Sequence, residues 1–466
     1  MYGKLLENIT IEVAGAEGNC IARWEGKVVF VKNAVPGDVC DLRIIGKKKK
    51  FLLGEIVTLH KSGKDRVDPF CDFFGSCGGC KWQQMQYPAQ LEFKTQQVRD
   101  AFDRIGKLEY DTVPGALGSE LTQFYRNKME YTFSHSRWLT REQLNSEEFI
   151  EEPGLGFHVP QRFDKIVHIE KCWLQEDTAN KIRNWCFEYA LTNKLSFYNA
   201  RSQEGLLRNL MLRNNRKGDW MVLLTFKYNE EKVIRDMLDS LSKQFPMITS
   251  LLFSINEKVN DSIYDLDIKC YQGEAFLTEH LEELQFKIRP KSFFQTNPTQ
   301  AEVLYRTALD FAGLTGEENV YDLYCGTGTI SLFLARNAKS VVGIESVPQA
   351  IEDANENARA NGINNCRFVV GDMKDELNDE FTTTYGKPDV VVTDPPRAGM
   401  HKDVVEQLLK LKPPKLVYVS CNPATQARDL DLMRDVYQID QVQPVDMFPH
   451  THHVENVVLL SLKQLP

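Results

Sequence analysis

From about residue 300 onward the chain alternates short apolar runs with stretches of helical pattern. No other feature limits its fold as much. Asn319–Leu323, Ser340–Glu345, Cys366–Val370, Asp389–Thr393 and Leu416–Ser420 read as buried strands, and helical segments lie between most of them. This is the rhythm of βαβ units, which build a doubly wound parallel sheet in an α/β fold. Ligands of such sheets bind in the crevice beyond the carboxyl ends of the strands. The residues that follow each strand are therefore the candidates for chemistry.

Asp322-Leu323-Tyr324-Cys325-Gly326-Thr327-Gly328-Thr329 joins the first strand to its helix. Its two glycines let the backbone turn tightly and approach a ligand. A dinucleotide fingerprint would want a third glycine at position 331, which is Ser. S-adenosylmethionine has no pyrophosphate to seat, so a shorter glycine loop suffices for it. Glu345 ends the second strand, where an acid can accept hydrogen bonds from ribose hydroxyls. Asp372 follows the third strand and is placed to meet adenine, and Asp394-Pro395-Pro396-Arg397 follows the fourth. The bland alternative is a tight turn with incidental acids. A similar Asp-Pro-Pro followed by an aromatic residue marks methyltransferases acting on exocyclic amines; Arg397 in that place weighs against this second reading.

Cys421-Asn422-Pro423 stands at the end of the strand Leu416–Ser420, on the same rim as Asp394. A lone cysteine is more often small apolar packing. At a strand end beside a methyl donor, its thiolate can add to carbon 6 of a uracil. That makes carbon 5 nucleophilic and splits one hard step into easier ones. Cys325, inside the glycine loop, reads as packing. Glu455, in Phe448-Pro449-His450-Thr451-His452-His453-Val454-Glu455, is the candidate base for the carbon 5 proton, or else a solvated acid before the last strand, Val457–Leu460. The three histidines lack partners at metal-ligand spacing. Upstream, Ser292-Phe293-Phe294-Gln295-Thr296-Asn297-Pro298 offers aromatics that can stack on a flipped base, although core packing suits Phe294 equally, and Gln295 can bond cofactor or base.

The length suggests about three domains. Ile9–Val13, Ile21–Trp24, Val28–Val31, Val39–Ile45 and Phe51–Leu59 read as strands of a small OB-like barrel, a frequent RNA-binding fold. The net charge is −9, yet residues 1–66 hold twelve basic and eight acidic side chains. A local basic module can still meet phosphates, and Lys47–Lys50 is either such a contact or a solvated loop. Leu91, Val98, Phe102 and Ile105 share one face of a helix over 88–106 that Gly106 ends. Residues 115–290 show no clear period. No apolar run is long enough to span a membrane, and Met1–Val13 lacks the character of a signal peptide, so a cytoplasmic protein is expected.

The cysteine count is eleven, which argues against a disulfide framework. Cys71, Cys77 and Cys80 form C-x5-C-G-G-C. With a later cysteine, Cys172 or Cys186, this suits an iron–sulfur cluster better than zinc, which usually takes two C-x-x-C pairs.

Taken together, C-x5-CGGC, SFFQTNP, DLYCGTGT, DPPR, VSCNP and PHTHHVE resemble the RNA uridine-5-methyltransferase family, in particular its bacterial 23S ribosomal RNA branch, over essentially the whole chain. The resemblance implies a Rossmann-like catalytic domain over 291–466, a TRAM barrel over 1–62, and a central α+β domain over 63–290 bearing a [4Fe–4S] cluster on Cys71, Cys77, Cys80 and Cys172. It implies S-adenosylmethionine contacts at Gln295, Tyr324, Glu345 and Asp394, base stacking by Phe293, Cys421 as nucleophile and Glu455 as base. Tyr125-Arg126-Asn127-Lys128 resembles a stretch that meets RNA, so Arg126 and Lys128 are expected contacts. Thr329 departs from members with Asn there. The helix near 88–110 is expected to pack on the catalytic domain, and the protein to act as a monomer. The transfer RNA branch is taken to lack barrel and cluster, so 23S ribosomal RNA is the expected partner. An RNA-binding chaperone with a degenerate cofactor fold is the non-enzymatic alternative.

Overall fold

The computed structural model describes residues 2–139, 152–160 and 162–463. Contacts divide the chain into two compact units, one of Met1–Phe70, Cys80–Thr122 and Thr299–Pro466, the other of Cys71–Gly79 and Gln123–Pro298.

In the first unit, β1 (Leu5–Ala14), β2 (Cys20–Trp24), β3 (Lys27–Val31), β4 (Val39–Lys47) and β5 (Phe51–Lys61) close into a barrel in the order β1-β2-β3-β5-β4. The period of two along β4 sends Cys40, Leu42 and Ile44 inward to meet Leu6, Ile11, Val29, Val31 and Leu52. Closure leaves no open strand edge. Lys48–Lys50 are exposed on the β4–β5 turn. At the Pro36-Gly37-Asp38 turn the buried Asp38 carboxylate accepts the Val35 N–H at 2.7 Å, the Gly63 N–H at 2.9 Å and the Arg66 Nε–H at 2.9 Å.

Helix α1 (Tyr87–Ala101) follows the barrel and runs into a π turn, Phe102–Gly106. Val98 and Phe102 are buried in the core of the C-terminal sheet, but Ile105 is half exposed. The wider π turn rotates Ile105 off the buried stripe that a regular helix would have kept.

That sheet runs β17-β16-β15-β18-β19-β21-β20. Its strands are β15 (Asn319–Leu323), β16 (Ser340–Glu345), β17 (Cys366–Val370), β18 (Val390–Thr393), β19 (Lys415–Ser420), β20 (Tyr437–Val445) and β21 (Glu455–Leu462). The first five are parallel, as the alternation predicts. The last two are not: β21 lies antiparallel between β19 and β20. A bulge at Ile439–Gln441 breaks the pattern of β20 and hides it from sequence reading. The order reverses between β15 and β18, which opens the crevice of a doubly wound sheet.

The second unit is built on a seven-stranded sheet of order β12-β11-β10-β9-β6-β7-β8. Its strands are β6 (Lys128–Ser134), β7 (Gly154–His158), β8 (Ile166–His168), β9 (Leu207–Asn214), β10 (Trp220–Phe226), β11 (Ile248–Ile255) and β12 (Ile268–Gly273), and β13 (Leu277–Leu281) with β14 (Leu284–Ile288) forms a separate two-stranded sheet. The helices Asp177–Thr192 (α2) and Glu231–Gln244 (α3) pack on the larger sheet. All seven residues of β10 are buried, so it carries no alternation to read. Among the described residues, no helix is long and apolar enough to cross a membrane.

Candidate active site

Register decides which side chains stand at the rim of the C-terminal sheet. Leu323 pairs with Ile344 on one side and Thr393 on the other, and Thr393 pairs with Tyr418. Tyr324, Glu345 and Asp394 therefore leave neighbouring strands at one level. In the antiparallel β19–β21 ladder the last pair is Ser420 with Asn456. Cys421 and Glu455 are the next residues along these two strands, and the Glu455 charge reaches the Cys421 thiol. Because β21 runs backwards, its first residue lies where the parallel strands end.

The glycine loop is bent by left-handed backbone at Tyr324 (φ 64°), Gly326 (φ 53°) and Gly328 (φ 81°). A tyrosine held there costs on the order of 1–3 kcal/mol, and such strain gathers at functional sites. A Cβ on Gly326 would meet nothing within 4 Å, so this backbone faces open space. The Gly326 N–H donates to Glu345 Oε2 at 3.3 Å, and the Val347 N–H to Oε1 at 2.9 Å. Behind the loop, buried Cys325 packs against Gly343, where a Cβ would stand 2.9 Å from its sulfur and 2.7 Å from the Phe368 ring. The buried Asp322 carboxylate accepts the Ser331 hydroxyl, and burial pushes it up to about 7. Asp372 is exposed at the end of β17 and caps the short helix Met373–Glu376, accepting the Lys374 N–H at 3.2 Å.

Three acidic groups share one poorly solvated place. Burial lifts the Cys421 thiol to about 12, the charges of Glu455 and Asp394 add to this, and the Arg397 guanidinium opposes it. Burial likewise raises Glu455, 5% exposed, to about 8, with Asp394 adding and Arg397 opposing. Asp394 is raised by burial to about 7. The Tyr305 hydroxyl also lies within reach of the Asp394 and Glu455 charges.

The helix after β19, Pro423–Met433, locks this arrangement. Its cap Asn422 accepts the Ala424 N–H at 3.2 Å and donates to the Arg397 carbonyl at 3.1 Å, tying the Asp394–Arg397 loop to Cys421. The buried Gln426 amide donates to the carbonyls of Tyr418 (2.9 Å) and Asn456 (3.2 Å), and accepts from the Asn456 amide at 2.7 Å. Sequence reading used Arg397 only to weigh against an amine methyltransferase. Its position after Asp-Pro-Pro was the signal that a cation would stand beside the thiol. Gln426 and Tyr305 left no such signal.

Of the histidines, His450 is buried and its Nδ1 lies 3.2 Å from the Gln90 amide, while His453 Nδ1 lies 2.7 Å from the Arg397 guanidinium. Burial pushes His450 and His452 down to about 4, so both are neutral near pH 7.

The remaining candidates belong to the second unit, apart from Cys80, which belongs to the first. Phe293 is 70% exposed, Phe294 is buried against Phe286 at 5.9 Å, and Gln295 is buried. The Asn127 N–H donates to the Thr296 carbonyl at 2.8 Å, which sets the Arg126–Lys128 stretch beside the Phe293 loop. Buried Arg213 donates to the Ser292 carbonyl at 3.5 Å, and burial lowers it to about 10. Arg126 and Arg213 both depress the half-buried Lys128, after burial itself.

Cys71, Cys77 and Cys172 lie close enough for their charges to interact. The Cys71 sulfur accepts the Phe73 N–H, and the Cys172 sulfur those of Leu174 and Gln175. Cys186 is buried in the apolar core among Ala179, Ile182 and Ala190. Among the described residues, no group of three or more His, Cys, Asp or Glu stands ready-made to hold a metal ion.

Residues 268–463 match the family model described as tRNA (Uracil-5-)-methyltransferase, and residues 7–57 match the TRAM domain. A protein of Bacteroides thetaiotaomicron named as an RNA methyltransferase is 52% identical over 452 residues, covering 96% of this chain and 100% of its own. A Porphyromonas gingivalis protein so named is 49% identical over 453 residues, covering 96% of this chain and 97% of its own. The chain belongs to the RNA (uracil-5-)-methyltransferase family. It has the family's S-adenosylmethionine-dependent methyltransferase fold with an N-terminal TRAM barrel. Among solved structures, the Pyrococcus abyssi tRNA (uracil-54, C5)-methyltransferase, in complex with S-adenosyl-L-homocysteine, is similar with a TM-score of 0.75 and 28% identity, over 98% of this chain and 100% of that one. That full-length likeness removes one argument from sequence: a barrel does not separate enzymes of ribosomal RNA from those of transfer RNA.

Proposed function

We propose that the enzyme methylates carbon 5 of a uridine in 23S ribosomal RNA through a covalent bond between Cys421 and carbon 6, with Glu455 as the general base. The observation that carries this reading is the opposed pair of Cys421 and Glu455 at the end of the β19–β21 ladder, with Asp394 and Arg397 beside both.

S-adenosylmethionine supplies an electrophilic methyl group on a cationic sulfur. Glu345, Tyr324 and Asp394 would hold it, since the loop at Gly326 faces open space and Asp394 leaves the neighbouring strand at the same level, its carboxyl raised by burial. Gln295 and Asp372 complete the proposed set. Phe293, with its ring exposed, would stack on RNA bases, and Arg126 and Lys128 would meet phosphates.

The Cys421 thiolate, its proton given up to solvent with the Arg397 charge beside it, bonds to carbon 6, and the electron pair of the carbon 5–carbon 6 double bond moves toward the carbon 4 oxygen as an enolate. Carbon 5 then attacks the methyl carbon, whose bond to the cationic sulfur breaks with its electron pair left on that sulfur, so that S-adenosylhomocysteine leaves as a neutral thioether. The Glu455 carboxylate removes the carbon 5 proton, that electron pair restores the double bond, and the bond from carbon 6 to sulfur breaks to release the Cys421 thiolate. A base raised to about 8 suits this step near neutral pH. Arg397 favours the thiolate at the start and the end of the cycle.

Cys71, Cys77, Cys80 and Cys172 would hold a [4Fe–4S] cluster. What supports this reading is the C-x5-C-G-G-C spacing, with the charges of Cys71, Cys77 and Cys172 within reach of one another and backbone N–H groups donating to two of the sulfurs.

RNA carrying 5-fluorouridine in place of the target cannot lose a carbon 5 proton, so it should trap the wild-type enzyme as a covalent complex and leave Cys421→Ala free. An active Cys421→Ala, or no adduct with the wild type, would sink the mechanism. The 23S assignment rests on motif resemblance. Mapping 5-methyluridine in a deletion strain tests it: loss from 23S ribosomal RNA supports it, and loss from transfer RNA alone transfers the same chemistry to another RNA. Unchanged 5-methyluridine in both overturns the assignment.

A further inference from the structure

Tyr87, Gln90, Lys94 and Gln97 are spaced three, four and three residues apart, which places them along one face of α1. All four reach the segment that leads to Glu455. The Tyr87 hydroxyl donates to Asp446 Oδ2 at 2.9 Å. The Lys94 ammonium pairs with Asp446 Oδ1 and donates to the Phe448 carbonyl at 3.1 Å. Gln90 Oε1 accepts the His450 N–H at 2.9 Å. The Gln97 amide donates to the His452 carbonyl at 3.3 Å. Alternate residues from 446 to 452 are thus each held by the helix, and Glu455 follows three residues later. The His450 backbone is left-handed (φ 64°), and its carbonyl accepts the N–H groups of Lys81 and Trp82 at 2.8 and 3.0 Å.

Both members of the Lys94–Asp446 pair are 0% exposed. Desolvating two charges costs about as much as their attraction returns, so such a pair is weak evidence for stability and better evidence for fixed registry. Apolar contact between α1 and the sheet is already made by Val98, Ala101 and Phe102, further along the helix. We propose that Gln90, Lys94 and Asp446 are positioning residues that set Glu455 against the carbon 5 proton; this rests on the reading of Glu455 as the base.

The test separates addition from release. Single-turnover reactions with S-adenosylmethionine and substrate RNA are followed on denaturing gels for Lys94→Met combined with Asp446→Leu, and independently for Gln90→Leu. Methyl transfer into the covalent complex should stay near the wild-type rate, while release slows about a hundredfold, the cost of a displacement of about 1 Å. The methylated enzyme–RNA complex then accumulates. Release at the wild-type rate in both variants, or equal slowing of both steps, overturns the proposal. Should the double variant not fold, Gln90→Leu carries the test alone. A Glu455→Gln control places any failure: if it accumulates the complex and the helix variants do not, positioning is refuted; if it also fails to, the base assignment falls and this proposal with it.

Discussion

Burial first, then the charge of Asp394, raises the Glu455 carboxyl from an ordinary 4.5 to about 8, against the pull of Arg397. The folded protein therefore keeps a proton that the unfolded chain gives up. Between pH 4.5 and 8 the unfolded state binds fewer protons, so this group's contribution to stability falls as pH rises. It is fully present below pH 4.5 and lost above 8. At about 1.4 kcal/mol for each pH unit, the whole window is worth at most about 5 kcal/mol. Water entry and relaxation around a rim carboxylate reduce this, and a gain of about 2 kcal/mol is the working figure. Glutamine never ionises. Glu455→Gln should match the wild type in melting temperature near pH 4.5 and exceed it at pH 8.5 by roughly 4 °C. Asp394 remains in both proteins, so its own burial cost is common to them, while its repulsion of an ionised Glu455 is part of the difference measured. Calorimetric melts at the two pH values, without methyl donor or RNA, make the comparison. No gain at pH 8.5, or an equal gain at pH 4.5, would refute the view of Glu455 as a carboxylate held ionised at a cost.

Cys172→Ala should strip iron and sulfide from anaerobically purified protein, whereas Cys186→Ala should retain both and lose about 1 kcal/mol of stability from its core site; iron analysis with melting curves distinguishes them. Gly343→Ala should cost about 1–3 kcal/mol by overpacking against Phe368 and Cys325, and should weaken binding of S-adenosylmethionine, measured by calorimetry, by displacing the loop in front. Phe293→Ala removes an exposed ring, so stability should change by less than about 0.5 kcal/mol. Binding of substrate RNA by that variant should weaken by about 1–3 kcal/mol, the worth of one stacked base.

Four of the five parallel strands, β15, β16, β18 and β19, are legible in the sequence because each is a short apolar run with both faces covered. The edge strand β17 is only partly covered and reads as a strand from Phe368, Val369 and Val370. The barrel is legible for the opposite reason: its strands alternate, with one face in and one face out. The strand β20 is not, since a bulge resets its alternation and five of its nine residues are polar or proline. The polar stripe of α1 is hidden more deeply. Lys94 lies between Leu91 and Val98, and by composition alone reads as a solvent-facing helix residue. Its partner Asp446 is 352 residues away, so no local pattern announces the pair. Buried polar networks joining distant segments are invisible to periodicity, which records only which face is apolar.

The thiols show why the candidate site was nevertheless legible. Cys20 and Cys40 fill the barrel, Cys186 fills the core of the second unit, and Cys325 packs behind the glycine loop. Burial raises all four, as it raises Cys421. A high thiol pKa therefore does not mark the nucleophile, and in isolation would count against one. What distinguishes Cys421 is its place: it leaves β19 where the parallel strands end, opposite a carboxylate brought there by an antiparallel strand. A cation alone does not mark it, since the Arg66 guanidinium likewise opposes the rise of Cys20 and Cys40. Cys325 sits two strands away, where the charges of Asp322 and Glu345 push its proton affinity up after burial itself. The proposed role of Cys421 thus follows from register: the sheet sets this thiol at the strand-end rim opposite Glu455 and beside Arg397, and sets Cys325 behind the glycine loop against Gly343.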